Sequence, residues 1–185
     1  MRKNVAGLGA VVLTTGLLLS GCAATGGVSN AADTAAGSSA KEPAKTSAKV
    51  GNTITLKGNV AGSKTAVTVK KVVDPTKATD GFSKPAAGNR YVAVQFQIKN
   101  TGTVAYDDSP SNGAKVADAD GQQFDSTIVM SVSAGPLFPA SVKLTPGGKA
   151  LGYIIFEVPK KSKVTAVQFG MDSGFGGSGE WVVKK

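Results

Sequence analysis

The stretch YVAVQFQIKN, residues 91 to 100, alternates with period two: Val92, Val94, Phe96 and Ile98 fall on one face, and Ala93, Gln95, Gln97 and Lys99 on the other. Successive side chains of an extended chain point to opposite faces, so this segment predicts a strand with one face in a core and one in water. GYIIFEVP, residues 152 to 159, repeats the pattern with Ile154, Phe156 and Val158 against Tyr153, Ile155 and Glu157. Pro159 ends it, because proline has no amide hydrogen to give to a ladder. Shorter candidates are Thr53 to Lys57, Ala66 to Val73, Ala114 to Ala117, Gln122 to Ser126, Val142 to Leu144, Val164 to Phe169 and Trp181 to Lys184. No long helical repeat competes with them. Strands separated by Gly, Asn, Asp and Pro, without alternating helices, predict an all-β domain, an antiparallel sandwich or barrel.

That domain occupies residues 50 to 185, and two other segments precede it. Arg2 and Lys3 open the chain, and Val5 to Leu19 follows as an apolar run without charge, the pattern of a secretion signal over residues 1 to 21. Fifteen residues make about 22 Å of helix against roughly 30 Å of hydrocarbon, and Gly7, Gly9 and Gly16 weaken that helix further, so the run is too short to span. It ends in Leu19-Ser20-Gly21-Cys22, which resembles the lipobox of bacterial lipoproteins. The resemblance implies that Cys22, the chain's single cysteine, takes a lipid on its sulfur and becomes the first residue of the mature chain. Such a thioether has no thiolate for catalysis and no part in a disulfide, and two or more acyl chains give stable membrane residence. The mature chain is therefore expected on the outer side of the cell membrane. From Ala23 to Lys49, Ala, Gly, Ser and Thr dominate and Val28 is the only larger aliphatic side chain, too little to bury. With Cys22 this segment, residues 22 to 49, is expected to be a disordered linker, with a reach of about 29 Å as a flexible chain.

GNRYVAVQFQIKNTG (residues 88 to 102) and PGGKALGYIIFEVP (residues 146 to 159) resemble the paired signatures of the immunoprotective extracellular, immunoglobulin-like family of bacterial secreted proteins and lipoproteins. VADADGQQFD (residues 116 to 125) fits the hairpin between them. The resemblance implies an immunoglobulin-like antiparallel β-sandwich at the cell surface and brings no catalytic residues with it. Its departure is the glycine-rich GMDSGFGGSGEW, residues 170 to 181, where the last hairpin falls.

The chain contains no histidine, which removes histidine triads, the usual zinc sites and a proton shuttle near neutrality. Glu157 and Glu180 are the domain's only glutamates, and nothing in the spacing sets either beside an aspartate, so a carboxylate-dependent envelope hydrolase ranks behind a binding protein. Ser38 and Lys41 spell Ser-x-x-Lys by coincidence, since the companion motifs of penicillin-recognising enzymes are missing. Asp118, Asp120 and Gly121 form a fragment of a calcium loop. Val116 and Thr127 stand where its end ligands belong, so a tight turn is expected there, with no metal and no cofactor.

Two features remain for binding. Phe138 in SAGPLFPAS and Phe175 in SGFGGSG are large apolar side chains in loops, which either fold back onto the core or meet a partner. The whole chain carries a net charge of +9; without the signal and linker the domain keeps +6. Its lysines cluster at Lys70-Lys71, at Lys160, Lys161 and Lys163, and at Lys184-Lys185. They either guard sheet edges against aggregation or attract anionic envelope polymers and headgroups. Nucleic acid fits poorly, because Arg90 is the domain's only arginine and the aromatic residues are not interleaved with basic ones. The sequence thus predicts a non-catalytic, lipid-anchored surface protein binding an envelope polymer or a surface protein, with a structural or antigenic envelope component as the alternative.

Cys22→Ala is expected to leave the signal uncleaved and the chain unacylated, read as intact mass after detergent extraction. A wild-type chain carrying a free Cys22 thiol would overturn the assignment.

Overall fold

A computed structural model of the protein describes residues 46 to 184. Cys22, the signal segment and the linker up to residue 45 lie outside the described residues. The strands are β1 (Thr46–Lys49), β2 (Thr53–Lys57), β3 (Lys64–Thr76), β4 (Asn89–Asn100), β5 (Tyr106–Asp108), β6 (Ala114–Asp118), β7 (Gln123–Thr127), β8 (Val142–Leu144), β9 (Lys149–Pro159), β10 (Val164–Gly170) and β11 (Ser178–Val182). One helical turn, α1 (Pro110–Gly113), precedes β6. Nine strands pair in the order β1-β11-β10-β6-β7-β9-β4-β3-β2, and β5 pairs with β8 separately. β7 bonds to β6 on one side and to β9 on the other, so it joins the two layers of an antiparallel β-sandwich.

The inward faces close the core. Val92, Val94, Phe96 and Ile98 of β4 and Ile154, Phe156 and Val158 of β9 are all buried, as the alternation requires. From the opposite layer Val116, Val167, Phe169 and Trp181 meet them, and the rings of Phe96 and Phe169 lie 5.5 Å apart at a 47° tilt. Tilted pairs at this separation satisfy the quadrupoles of both rings. Trp181 has no exposed surface, and its indole N–H donates to Asn52 O at 2.9 Å, fastening the β1–β2 turn over the last strand.

Three expectations change. The linker stops before residue 49, because Thr46–Lys49 forms β1, which pairs with β11 from Thr46↔Gly179 to Lys49↔Val182. This pairing is parallel, as is the isolated bridge of Leu137 to Tyr153, whereas the other strand ladders among the described residues are antiparallel. The last strand is Ser178–Val182 and not Trp181 to Lys184, and β3 runs well past the expected Ala66 to Val73. Finally, β4 and β9 are not open to water along the whole outer face. Tyr91, Ala93, Tyr153 and Ile155 form a second buried cluster with Val129 and Val132, because residues 128 to 138 cross over that face. The crossing chain is seated by Tyr153 N–H on Pro136 O and Phe138 N–H on Tyr153 O, at 2.9 and 3.0 Å. Gly152 permits it, since a Cβ there would lie 2.8 Å from Phe138 N.

Asp80 pins this strap to the loop after β3. Its carboxylate accepts from Ser83 Oγ and Ser83 N at 2.7 Å, Phe82 N at 2.8 Å and Met130 N at 3.1 Å. The Ser83 hydroxyl, then its amide, lead the hydrogen bonds that hold the Asp80 carboxyl well below the usual carboxylate range, against the opposing effect of burial.

Phe96→Ala and Phe156→Ala should each lower unfolding free energy in urea by about 3–5 kcal/mol, as loss of a core aromatic does; a loss below about 1 kcal/mol at both would mean that the inward face is misassigned. A depressed carboxyl pKa contributes stability above the unfolded value of 3.8 and loses it as pH falls toward the folded value. Amide exchange at Ser83 and Met130, taken relative to the intrinsic rate at each pH, should therefore stay slow at pH 4 and accelerate well below it. In Asp80→Asn it should be fast at neutral pH.

Candidate functional site: the groove at the Phe175 loop

Across β11, β10, β6 and β7 one row of residues is in direct register: Glu180↔Gln168, Gln168↔Lys115 and Lys115↔Asp125. Paired residues share a face, and the adjacent row (Trp181, Val167, Val116 and Phe124) faces the core, so these four polar side chains stand on the outer face. They are coupled in pairs. Gln168 Nε2 donates to Glu180 Oε2 at 2.8 Å, and Lys115 Nζ makes an ion pair with Asp125.

The β10–β11 hairpin closes over one end of this row with residues 171 to 177. Met171 is fully buried; its N–H donates to Gly177 O at 3.0 Å and its carbonyl accepts from Gly174 N and Gly176 N. Asp172 and Ser173 adopt left-handed φ of 53° and 55°, uncommon for residues with side chains, and both are tied from outside the loop. Asp172 Oδ2 accepts from Asn59 N at 2.6 Å. Asp108 accepts from Ser173 N and Oγ at 3.0 and 2.8 Å. Asn59 Nδ2 donates to Phe175 O at 3.3 Å. Beneath the same loop, burial first, and then the charges of Asp108 and Asp172, push the Tyr106 phenol up. α1 packs against the end of β10, where the loop begins, because Gly113 leaves room: a Cβ there would fall 2.1 Å from Gly170 O and 3.4 Å from Gly174 N. Phe175 is 85% exposed at the tip of this fastened loop. Between it, Asn112, Gln123 and the Lys115 and Gln168 members of the polar row lies an open groove of about 320 Å³.

The other sequence-derived candidates are placed elsewhere. Phe138 is half-buried against the main core and belongs to the strap. Lys160, Lys161 and Lys163 are exposed on the β9–β10 turn. That turn is held by Lys160 N–H on Gly88 O at 2.9 Å and by Arg90, whose guanidinium donates to Pro159 O, to Ser162 O and to both oxygens of Asp74. The lysine turn precedes β10 and the Phe175 loop follows it. Seven residues of strand separate them by about 20 Å, so they are two surfaces and not one.

The carboxylates serve structure. Glu157 accepts from Ala86 N and Asn89 Nδ2, both at 2.8 Å, and Asp107 pairs with Lys143. Asp118 forms the expected turn: its Oδ1 accepts from Asp120 N and Gln122 N, and Gly121 takes φ 83°. Burial raises the Asp118 carboxyl, but the Ser162 hydroxyl and these amides together outweigh it and lower the pKa. Among the described residues no three of His, Cys, Asp and Glu gather around a common point. The polar row and the ties from Asn59 and Asp108 escape sequence reasoning. The row needs the register of four strands, and the ties join residues 65 and 113 positions apart.

Fold and loops together define a β-sandwich domain whose exposed groups gather where its strands end. The chain belongs to the family described as a domain of unknown function (DUF4352), whose model matches residues 30–180. It is 34% identical over 122 residues to the uncharacterized protein YxkC of Bacillus subtilis (strain 168), covering 62% of this chain and 68% of that one. Its fold is similar to that of MPT63, a secreted protein from Mycobacterium tuberculosis: TM-score 0.55 at 19% identity, covering 75% of this chain and 97% of that one. It is similar also to ycdA of Bacillus subtilis subsp. subtilis str. 168, described as a candidate lipoprotein: TM-score 0.53 at 14% identity, over 72% of this chain and 38% of that one.

Proposed function

We propose that the chain is a lipid-anchored protein of the outer face of the cell membrane, of the extracellular immunoglobulin-like kind, that works by binding and not by catalysis. The lipobox-like Leu19-Ser20-Gly21-Cys22 supports the anchor, and the secreted and lipoprotein descriptions of the two fold relatives are consistent with an envelope location. The observation that carries the binding reading is Phe175. Phe175 is 85% exposed beside the groove, on a loop fastened by hydrogen bonds to two other segments, at Asn59 and Asp108; Phe82, 90% exposed on a turn held by Asp80, does not line this groove. Holding an aromatic ring outward in a fixed place lowers the entropy lost when a partner settles on it. A carboxylate-dependent hydrolase would need two carboxylates free to exchange protons across a cleft, whereas Glu157, Asp74, Asp80, Asp108 and Asp172 are committed to amides, hydroxyls or Arg90.

A second reading rests on the lysine turn: three exposed ammonium groups, on a turn whose backbone Arg90 holds, would draw the domain onto anionic polymers or headgroups over a Debye length of roughly 8 Å.

A photoreactive residue placed at position 175, and in a separate chain at position 161, tests both on intact cells. The 175 chain is expected to capture a partner and the 161 chain to capture far less. The reverse result, together with weaker low-salt adsorption to anionic vesicles for Lys160→Glu, Lys161→Glu, Lys163→Glu than for Lys57→Glu, Lys64→Glu, Lys99→Glu, would transfer the site to the lysine turn. Capture at neither position would favour a structural or antigenic envelope component.

A further inference from the structure

Resting on the binding reading of the Phe175 loop, we infer that the groove beside it takes a sugar: one ring of a carbohydrate chain stacked on Phe175, with its hydroxyl edge toward Gln168, Asn112 and Gln123.

The inference starts from what a sugar ring presents. One flank of a pyranose is a patch of C–H groups and its rim is hydroxyl, each of which both donates and accepts. A matching site needs one flat aromatic surface beside side chains that also do both, and amides are the side chains that do so without carrying charge. The groove supplies this set. Phe169, its other aromatic residue, is fully buried, which leaves Phe175 as the single exposed ring. Asn112, Gln123 and Gln168 supply three amides from α1, β7 and β10. Lys115 is paired with Asp125, so the row presents no unpaired cation to select for an anionic ligand, and its remaining charge, Glu180, accepts from Gln168.

Preorganisation points the same way. The Gln168 amide is oriented by its bond to Glu180, and the loop that carries Phe175 is tied to Asn59 and Asp108. At about 320 Å³ the groove lies at the small end of ligand clefts, roughly 300–1,000 Å³. A protein partner fits less well. A stable protein interface buries roughly 800 Å² on each side and centres on a cluster of anchor residues, whereas this groove offers one ring in a polar setting.

The test uses the full chain in detergent. The soluble probes are N-acetylglucosamine and glucose hexasaccharides, read by amide chemical-shift titration, and the insoluble probe is purified cell-wall glycan, read by pull-down. At least one probe should bind saturably. Phe175→Ala and Gln168→Ala should each weaken that binding about tenfold, while Phe175→Trp retains it and Phe175→Leu does not, because stacking needs a ring and not merely an apolar side chain. Lys161→Glu should leave it unchanged. Absence of saturable binding to every probe overturns the inference, as does binding that Phe175→Ala and Gln168→Ala leave intact or that Phe175→Leu retains. If the probes fail while position 175 still captures a protein on cells, the sugar is refuted and the binding reading stands. If position 175 captures nothing and the probes also fail, both fall.

Discussion

The contact between Phe96 and Phe169 is the one on which the rest of the sandwich depends. Each ring comes from a strand in a different layer, β4 and β10, and each has no exposed surface. Two layers held by β7 alone would share only the short ladder it makes with each neighbour. The interdigitated rings, with Phe156 and Trp181 around them, turn that seam into a closed core, and burial of such large apolar groups is the main favourable contribution to folding. Once β10 is fixed by this packing, its two ends are fixed as well. One leads into the Phe175 loop and the other comes from the lysine turn.

How much of this could be read from the sequence follows from where the information resides. The core residues of β4 and β9 were legible because alternation is a local property of an extended chain, and Val92 to Ile98 display it without interruption. The outer cluster was not. Tyr91, Ala93, Tyr153 and Ile155 are buried by residues 128 to 138, which contribute single isolated bridges and no regular strand, so no periodicity announces the cover. β1 was missed for a related reason. Thr46, Ser47, Ala48 and Lys49 have no apolar face of their own and become a strand because β11 offers them a backbone edge.

The loops show the same division. Phe138 and Phe175 look alike in sequence, each an aromatic among turn residues, yet one fills space against the core and the other stands in water. The difference comes from distant residues. Gly152 admits the chain that bears Phe138, and Asn59 and Asp108 hold up the chain that bears Phe175. Likewise, the turn at Asp118 was readable from Asp-x-Asp-Gly, while the role of Arg90 in holding the β9–β10 turn was not, since its carbonyl partners Pro159 and Ser162 carry no side-chain signal.

The parallel pairing of β1 with β11 has a directional meaning. Because the two strands run the same way, Thr46 lies beside Gly179, at the end of the sandwich where the hairpin bearing Phe175 also turns. The polypeptide therefore enters the domain next to the groove and not at the far pole. The domain's first strand thus meets β11 at the end that carries the groove, while the lysine turn lies at the other end of β10, so the two candidate surfaces differ in how near they stand to the start of the sandwich.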